Sequence, residues 1–319
     1  MMRAFLFDDT KASELPFAEG AAQFGKAQLV WLLLDGRQTG VLEWINAQQD
    51  IPPIARSALL AQETRPRSDL VGHGALVNLR GLGKTPEDDP DALVSLRFWA
   101  ETGRVILVAF RSPVALDRVV DNFLAGSILD PGDLLSAFAD AITDGLDPDV
   151  ANLGDALDEC ELKIESANIY PTRRAVTKAR ARAIAFRRFV SPQRQALDRL
   201  AAAPLDWLDD DDRLHLREAA DRAARMAEEL ESVRERAMLM HEELTDRRAE
   251  QMESRALLIS IVALVFLPLT FLTGLLGMNV EGIPYHSEPW AFWGVTGVCL
   301  LVGFIVLGWF VRAQWISKD

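Results

Sequence analysis

Gly277, Met278 and Asn279 come at the end of a long charge-free stretch, and Glu281 stands two positions beyond them. An asparagine side chain offers a neutral carbonyl oxygen. A ring of such oxygens holds a cation through its water shell without trapping it, which is the modest strength that conduction needs. Upstream, side chains recur at helical spacing through Glu242, Asp246, Ala249, Glu253, Ala256, Ile259 or Ser260, Ala263, Leu267, Thr270 and Gly274. The stripe is acidic first, then small or apolar, then hydroxyl-bearing. Around an axis shared by several copies, Glu242, Asp246 and Glu253 would form an acidic vestibule. Ala256, Ile259, Ala263, Leu267, Thr270 and Gly274 would line the path, and Gly277, Met278, Asn279 and Glu281 would form its mouth, with Asn279 facing the hydrated ion. On an isolated helix the same stripe is a solvated face continued by a lipid face.

Other reactive groups form no constellation. His73, His215, His241 and His286 are far apart and lack the paired spacing of a zinc site, and Cys160 and Cys299 can build neither a disulfide framework nor a cysteine metal centre. No phosphate loop, nucleophile elbow or metal-protease spacing is present, so an enzyme is not expected. No permanently bound cofactor is expected either. The acidic string Glu87-Asp88-Asp89-Pro90-Asp91 reads as a solvated loop.

The elements that would position the stripe are two charge-free runs, 256–280 and 289–311, separated by eight residues. Each exceeds the ~20 apolar residues that span a bilayer core as a helix. Helix is also the state that satisfies every backbone group in lipid. Arg247, Arg248 and Arg255 precede the first run, Arg312 and Lys318 follow the second, and the intervening loop has no Lys or Arg. The positive-inside bias therefore puts both termini in the cytoplasm and the loop outside. Pro268, inside the first run, removes a donor and frees the carbonyl of Leu264, near which Thr270 and Thr273 offer hydroxyls. Gly277 permits a helix end with positive φ.

The remainder is acidic, with 34 basic against 47 acidic residues and a net charge of −13. Such a balance argues against nucleic acid as a partner and concentrates cations near any opening. No signal peptide is expected, because the first thirty residues carry Asp8, Asp9, Glu14 and Glu19 and no long apolar core. Residues 1–130 read as a cytoplasmic α/β domain. Strands are expected at 28–34, 75–79, 93–100 and 104–110, the last two paired antiparallel across Thr102-Gly103, and helices at 41–48, 54–61 and 114–124. Residues 131–205 read as a helical hairpin. Its first helix starts at Pro131-Gly132-Asp133, breaks near Asp147-Pro148, and carries the acids (Asp155, Asp158, Glu159, Glu161, Glu165) that pair with the basic second helix, 170–200. Asp209 to Asp212 open a stalk, 206–255, whose four carboxylates suit the positive end of a helix dipole. An unbroken helix over 214–276 would reach roughly 95 Å, so the stalk must run directly into the first span. Leu230, Val233, Ala237, Met240 and Leu244 form its packing seam. Beyond it come the first span 256–280, an outer loop 281–288, the second span 289–311 and a cytoplasmic tail 312–319.

Gly277-Met278-Asn279 at this position, preceded by Phe266-Leu267-Pro268-Leu269-Thr270-Phe271, resembles the signature of the CorA metal-ion transporter family. Within that family, Glu63-Thr64-Arg65-Pro66-Arg67, Asn78-Leu79-Arg80-Gly81, Val94-Ser95-Leu96-Arg97 and Gly282-Ile283-Pro284 are similar to the ZntB-like, zinc-transporting branch. Glu281 departs from that branch and resembles the magnesium-transporting one. The resemblance implies an α+β cytoplasmic domain, a long helical stalk and two C-terminal transmembrane helices. It further implies a funnel-shaped homopentamer in the lipid of the inner membrane, with Asn279 in an outer selectivity ring and Thr270, Leu267 and Ile259 facing the pore. The expected activity is transport of a divalent cation, Zn2+ or Mg2+, with proton coupling as in the zinc branch. Two readings stay beside it: a CorA-type magnesium or cobalt channel, and a membrane-anchored scaffold or sensor.

Overall fold

The computed structural model describes residues 2–8, 11–61, 64–84, 93–163, 169–278, 283, 285, 287–316, with side chains at 169, 311 and 313–316 excepted. The expectations for the acidic string at 87–91, for Glu63, Glu165, Asn279, Glu281, Gly282, Pro284 and His286, and for Lys318 lie outside these residues. The chain divides into two compact units, Met1–His241 and Glu242–Asp319.

The first unit is organised by Leu29–Asp35 (β3), whose six residues from Leu29 to Leu34 are all buried. A strand with no polar face must be covered on both sides, and it takes the interior of a sheet. The described strands are β1 (Met2–Asp8), β2 (Lys11–Leu15), β3, β4 (Arg67–Val71), β5 (Gly74–Leu82), β6 (Leu93–Glu101) and β7 (Arg104–Ala109), ordered β2-β1-β3-β7-β6-β5-β4. β3 and β7 run parallel and the other described pairs antiparallel. The expected hairpin of β6 and β7 is present, turning through Gly103 at φ 73°.

A short helix, α1 (Phe17–Ala21), precedes β3. One face of the sheet packs Leu32, Leu34, Ile106 and Val108 against Val41 and Ile45 of α2 (Thr39–Ala47) and Ala55 and Leu59 of α3 (Pro53–Leu60). The other face carries aromatic rings. Trp31 stacks on Phe5 at 4.4 Å between centroids and meets Phe123 of α4 (Ala115–Leu124) and Phe138 of α5 (Pro131–Lys163) at 5.6 and 5.7 Å. A Cβ on Gly74 would lie 2.5 Å from the buried Trp99 ring and 2.9 Å from the Ala100 carbonyl oxygen. Gly74→Ala is therefore expected to cost about 1–3 kcal/mol by overpacking, readable as a lowered melting midpoint.

α5 and α6 (Ile169–Ala201) pack together. Arg182 in the middle of α6 reaches Asp149 in the middle of α5 at 3.3 Å, and two packed 33-residue helices joined by only five residues must run antiparallel. Two expectations change here. α5 does not break at Pro148: the ring is exposed, and the carbonyl it leaves without a donor belongs to the exposed Asp144, where water can serve it. The acids assigned to α6 also turn elsewhere. Asp158 and Glu161 both receive Arg236 of the long helix α7 (Asp210–Leu276), Glu161 at 2.9 Å, and Glu159 pairs with Lys163 of its own helix. α5 thus has basic neighbours on two sides, and Arg222 of α7 adds contacts to Asp140 and Asp144. On α7, Leu230, Val233, Ala237, Met240 and Leu244 are all buried, as their spacing requires.

The second unit contains the later turns of α7 and α8 (Pro289–Ile316), two helices long and apolar enough to cross a membrane.

Candidate functional site

Residues 256–276 of α7 carry no charge, and their exposure in the single chain alternates with the turn of the helix. Ile261, Val265, Leu269, Leu272 and Leu276 are half-buried and mark one face. Ala256, Ile259, Ala263, Leu267, Thr270 and Gly274 are exposed, Leu267 by 75%. Two positions separate Ala263 from Ile261 and Leu267 from Val265, about 200° at 100° per residue, so the stripe lies opposite the covered face. Glu242, Asp246 and Glu253 continue it, also exposed.

Hydroxyls within these helices are satisfied locally. Ser260 donates to the Ala256 carbonyl at 2.9 Å, Thr273 to the Leu269 carbonyl at 2.9 Å and Thr296 to the Phe292 carbonyl at 2.9 Å. Such back-bonding leaves no unpaired donor at these positions in lipid.

Gly277 ends the helix differently from expectation. Its φ is not positive; among the described residues of this unit only Tyr285 has a positive φ, at 62°. The Gly277 N–H donates to the Thr273 carbonyl at 2.9 Å, and a Cβ would come within 3.0 Å of that oxygen. The glycine thus continues the last helical turn and makes no left-handed turn. Beyond it the Tyr285 ring lies 5.3 Å from that of Trp290, and the Glu288 carbonyl accepts the Ala291 N–H at 3.0 Å as α8 begins. A cavity of about 600 Å³ opens here, with Thr273 and Gly277 on one wall, Thr296 and Cys299 on another, and Tyr285 and Glu288 at its rim.

Among the described residues no histidine joins a group of three metal-ligating side chains. The His73 carbonyl accepts the Trp207 indole N–H at 3.3 Å, and His215 lies 3.3 Å from Asp140 and 3.8 Å from Asp211. The one acidic convergence among the described residues is Asp130, Asp133 and Asp212, each with an oxygen within 4.8 Å of the others. It arises where two helix starts meet. Asp130 accepts the Asp133 N–H at 3.0 Å and Asp133 accepts the Leu129 N–H at 2.8 Å. Asp209 and Asp212 exchange the same kind of bond at 2.9 and 3.1 Å, and Gly132 leaves room for the Asp212 carboxylate. Burial raises the Asp212 pKa to about 7, against the Asp209 N–H that favours the charged form, with Asp130, Asp209 and Asp133 adding repulsion. Burial is also the first cause that raises Asp133. The sequence shows both Asp-x-x-Asp strings but nothing that brings them together.

A family model described as CorA-like Mg2+ transporter protein matches residues 26–312. The chain belongs to the CorA family. Within curated CorA-family proteins, the zinc transport protein ZntB of Pectobacterium atrosepticum is 32% identical over 290 residues, covering 90% of this chain and 88% of the relative. That of Yersinia pestis is 30% identical over 293 residues, covering 91% and 88%. Among solved structures, the full-length CmaX protein superposes with a TM-score of 0.78 at 29% identity, covering 98% of this chain and 97% of that one. The complete CorA magnesium transporter of Methanocaldococcus jannaschii superposes at 0.80 with 17% identity, covering 99% and 98%, a likeness of fold. The CorA fold accounts for the order of elements: a sheet domain, a long helix and two apolar helices at the C-terminus.

Proposed function

We propose that this chain carries a divalent cation across a membrane, zinc in preference to magnesium, as one subunit of a homopentamer whose α7 helices surround the path. The observation that carries the reading is the exposed stripe of α7, set opposite the half-buried face of the same helix and continued by Glu242, Asp246 and Glu253. Two helices enclose no hydrated path, so the exposed stripe calls for other copies, and closed rings are the common solution. Relatives at 30% identity and above that are named zinc transport proteins favour zinc. The family's magnesium description and Glu281 favour a second reading, a magnesium channel of the CorA type.

In this reading the acidic vestibule gathers cations by its field. Ile259, Ala263 and Leu267 form the apolar constriction, and the carboxamide of Asn279 holds the ion through its water shell at the outer mouth. Both termini are cytoplasmic, by the arginines flanking the two spans. Uptake by the purified chain in liposomes tests the proposal. Zinc is expected to enter faster than magnesium, and an inward proton gradient to accelerate it. Equal rates with and without the gradient would reject coupling; magnesium uptake alone would favour the channel; no uptake of either would leave a membrane-anchored scaffold or sensor.

A further inference from the structure

In the unit Met1–His241, a groove of about 540 Å³ follows one face of α6, where Arg187, Arg188, Ser191 and Gln195 recur at spacings of one helical turn, and Arg65 and Arg234 close its other sides. Four guanidinium groups gather here in a chain whose net charge is −13. Their neighbours neutralise them only in part. Glu231 of α7 holds both Arg187, at 2.9 Å, and Arg234, while Glu235 lies 4.0 Å from Arg234. The Nε of Arg234 is buried and finds no acceptor among the described residues. Arg65 and Arg188 make no ion pair among the described residues, and Arg188 lies 5.5 Å from the ring of Phe189. Nearby Arg194 and Arg67 are matched to Asp198 and Asp69.

A guanidinium is planar and always charged, and its forked donors match the oxygens of a phosphate in pairs. Two arginines without counter-ions beside two that share one carboxylate leave a local excess of positive charge. A single carboxylate ligand would meet one fork and leave the others unanswered. A ligand with two or more linked phosphates meets several, and the groove's volume falls in the range of small-ligand sites. Ser191 and Gln195 supply neutral hydrogen-bonding groups along the same wall.

We propose that the groove between α6 and α7 binds an anion bearing two or more phosphates, held by Arg65, Arg187, Arg188 and Arg234. The groove lies within the unit Met1–His241 and includes none of the residues assigned to the transport path.

The test is calorimetric titration of the full-length chain in a neutral, phosphate-free detergent with metal-free pyrophosphate at near-physiological salt. One saturable site per chain is expected. Arg65→Ala and Arg188→Ala are each expected to weaken binding about tenfold, the effect of one charge-assisted contact, and Arg188→Lys to weaken it less. Both residues are exposed, so unchanged helicity and particle size would confirm folding. Repeating the titration in phosphatidylcholine nanodiscs with and without cardiolipin, whose headgroup carries two phosphates, separates two sources of the same chemistry. Weakened pyrophosphate binding with cardiolipin alone would assign the arginines to a diphosphate lipid headgroup, and undiminished binding in both would assign them to a free polyphosphate. Absence of saturable binding, or equal affinity in the alanine variants, would overturn the proposal. So would a change in oligomer size in Arg65→Glu or Arg188→Glu without any pyrophosphate effect, which would make the groove a seam between copies.

Discussion

Asn279→Ala is expected to lower metal uptake by at least about tenfold while the protein still inserts and assembles. In the proposed ring each carboxamide would contribute roughly 1 kcal/mol of contact to a hydrated ion, and the substitution would remove every copy at once. Alanine removes the oxygens without adding charge or bulk, so the spans and their packing are untouched. Asn279→Asp separates the amide's chemistry from its position. A carboxylate binds a divalent cation more strongly, and conduction suffers when an ion enters readily but leaves slowly. That variant should therefore bind metal more tightly and pass it more slowly. Uptake in liposomes, with particle size measured in parallel, checks both variants. Full uptake by Asn279→Ala would remove the amide from the ion path and with it the reading of the mouth.

Asp212→Asn is expected to stabilise the protein at alkaline pH and to leave it unchanged in acid. The native Asp212 carboxyl holds its proton up to about pH 7, whereas in the unfolded chain it would lose it near its ordinary value of 3.8. Between those values the folded state binds more protons than the unfolded one, so stability falls as pH rises through this window. Above pH 7 the full penalty of a buried carboxylate is present. At about 1.4 kcal/mol per pKa unit, the difference amounts to at most roughly 4 kcal/mol. Asparagine retains an oxygen to accept the Asp209 N–H, so the helix start is not lost with the charge. Melting curves of wild type and variant at pH 4 and pH 8 test this. A gap that is the same at both pH values would show that Asp212 carries its charge without cost.

The parts of the fold legible in the sequence were those whose residues answer to one local pattern. β3 announces itself because an apolar run bounded by Asp35-Gly36 has no polar side to expose, and β6 and β7 because Gly103 sits between two such runs. No strand was expected at β2 or β4. Lys11 to Leu15 and Arg67 to Val71 are short and polar, and they become strands through the ladders that β1 and β5 supply. α5 was divided at Pro148 because a proline inside a helical pattern reads as a break, whereas here the ring faces water and the helix runs through it.

The same distinction holds for the site. The stripe on α7 could be read because a charge-free run leaves helical period as its only order; in the structure it lies opposite the five half-buried residues from Ile261 to Leu276. The conformation of Gly277 could not, because a glycine that continues a helical turn and one that reverses the chain look identical in a string. Asp130, Asp133 and Asp212 escaped for a different reason: their meeting depends on how α5 and α7 begin side by side.

Arg222 and Arg236 fall about four turns apart on α7 and so point the same way, each gripping carboxylates of α5. Spinning α7 about its long axis would shear both grips together, whereas bowing it can relax one while the other holds. The cheaper motion of this rod is thus flexure. Because these grips are partly wetted, added salt loosens them and makes the rod more compliant.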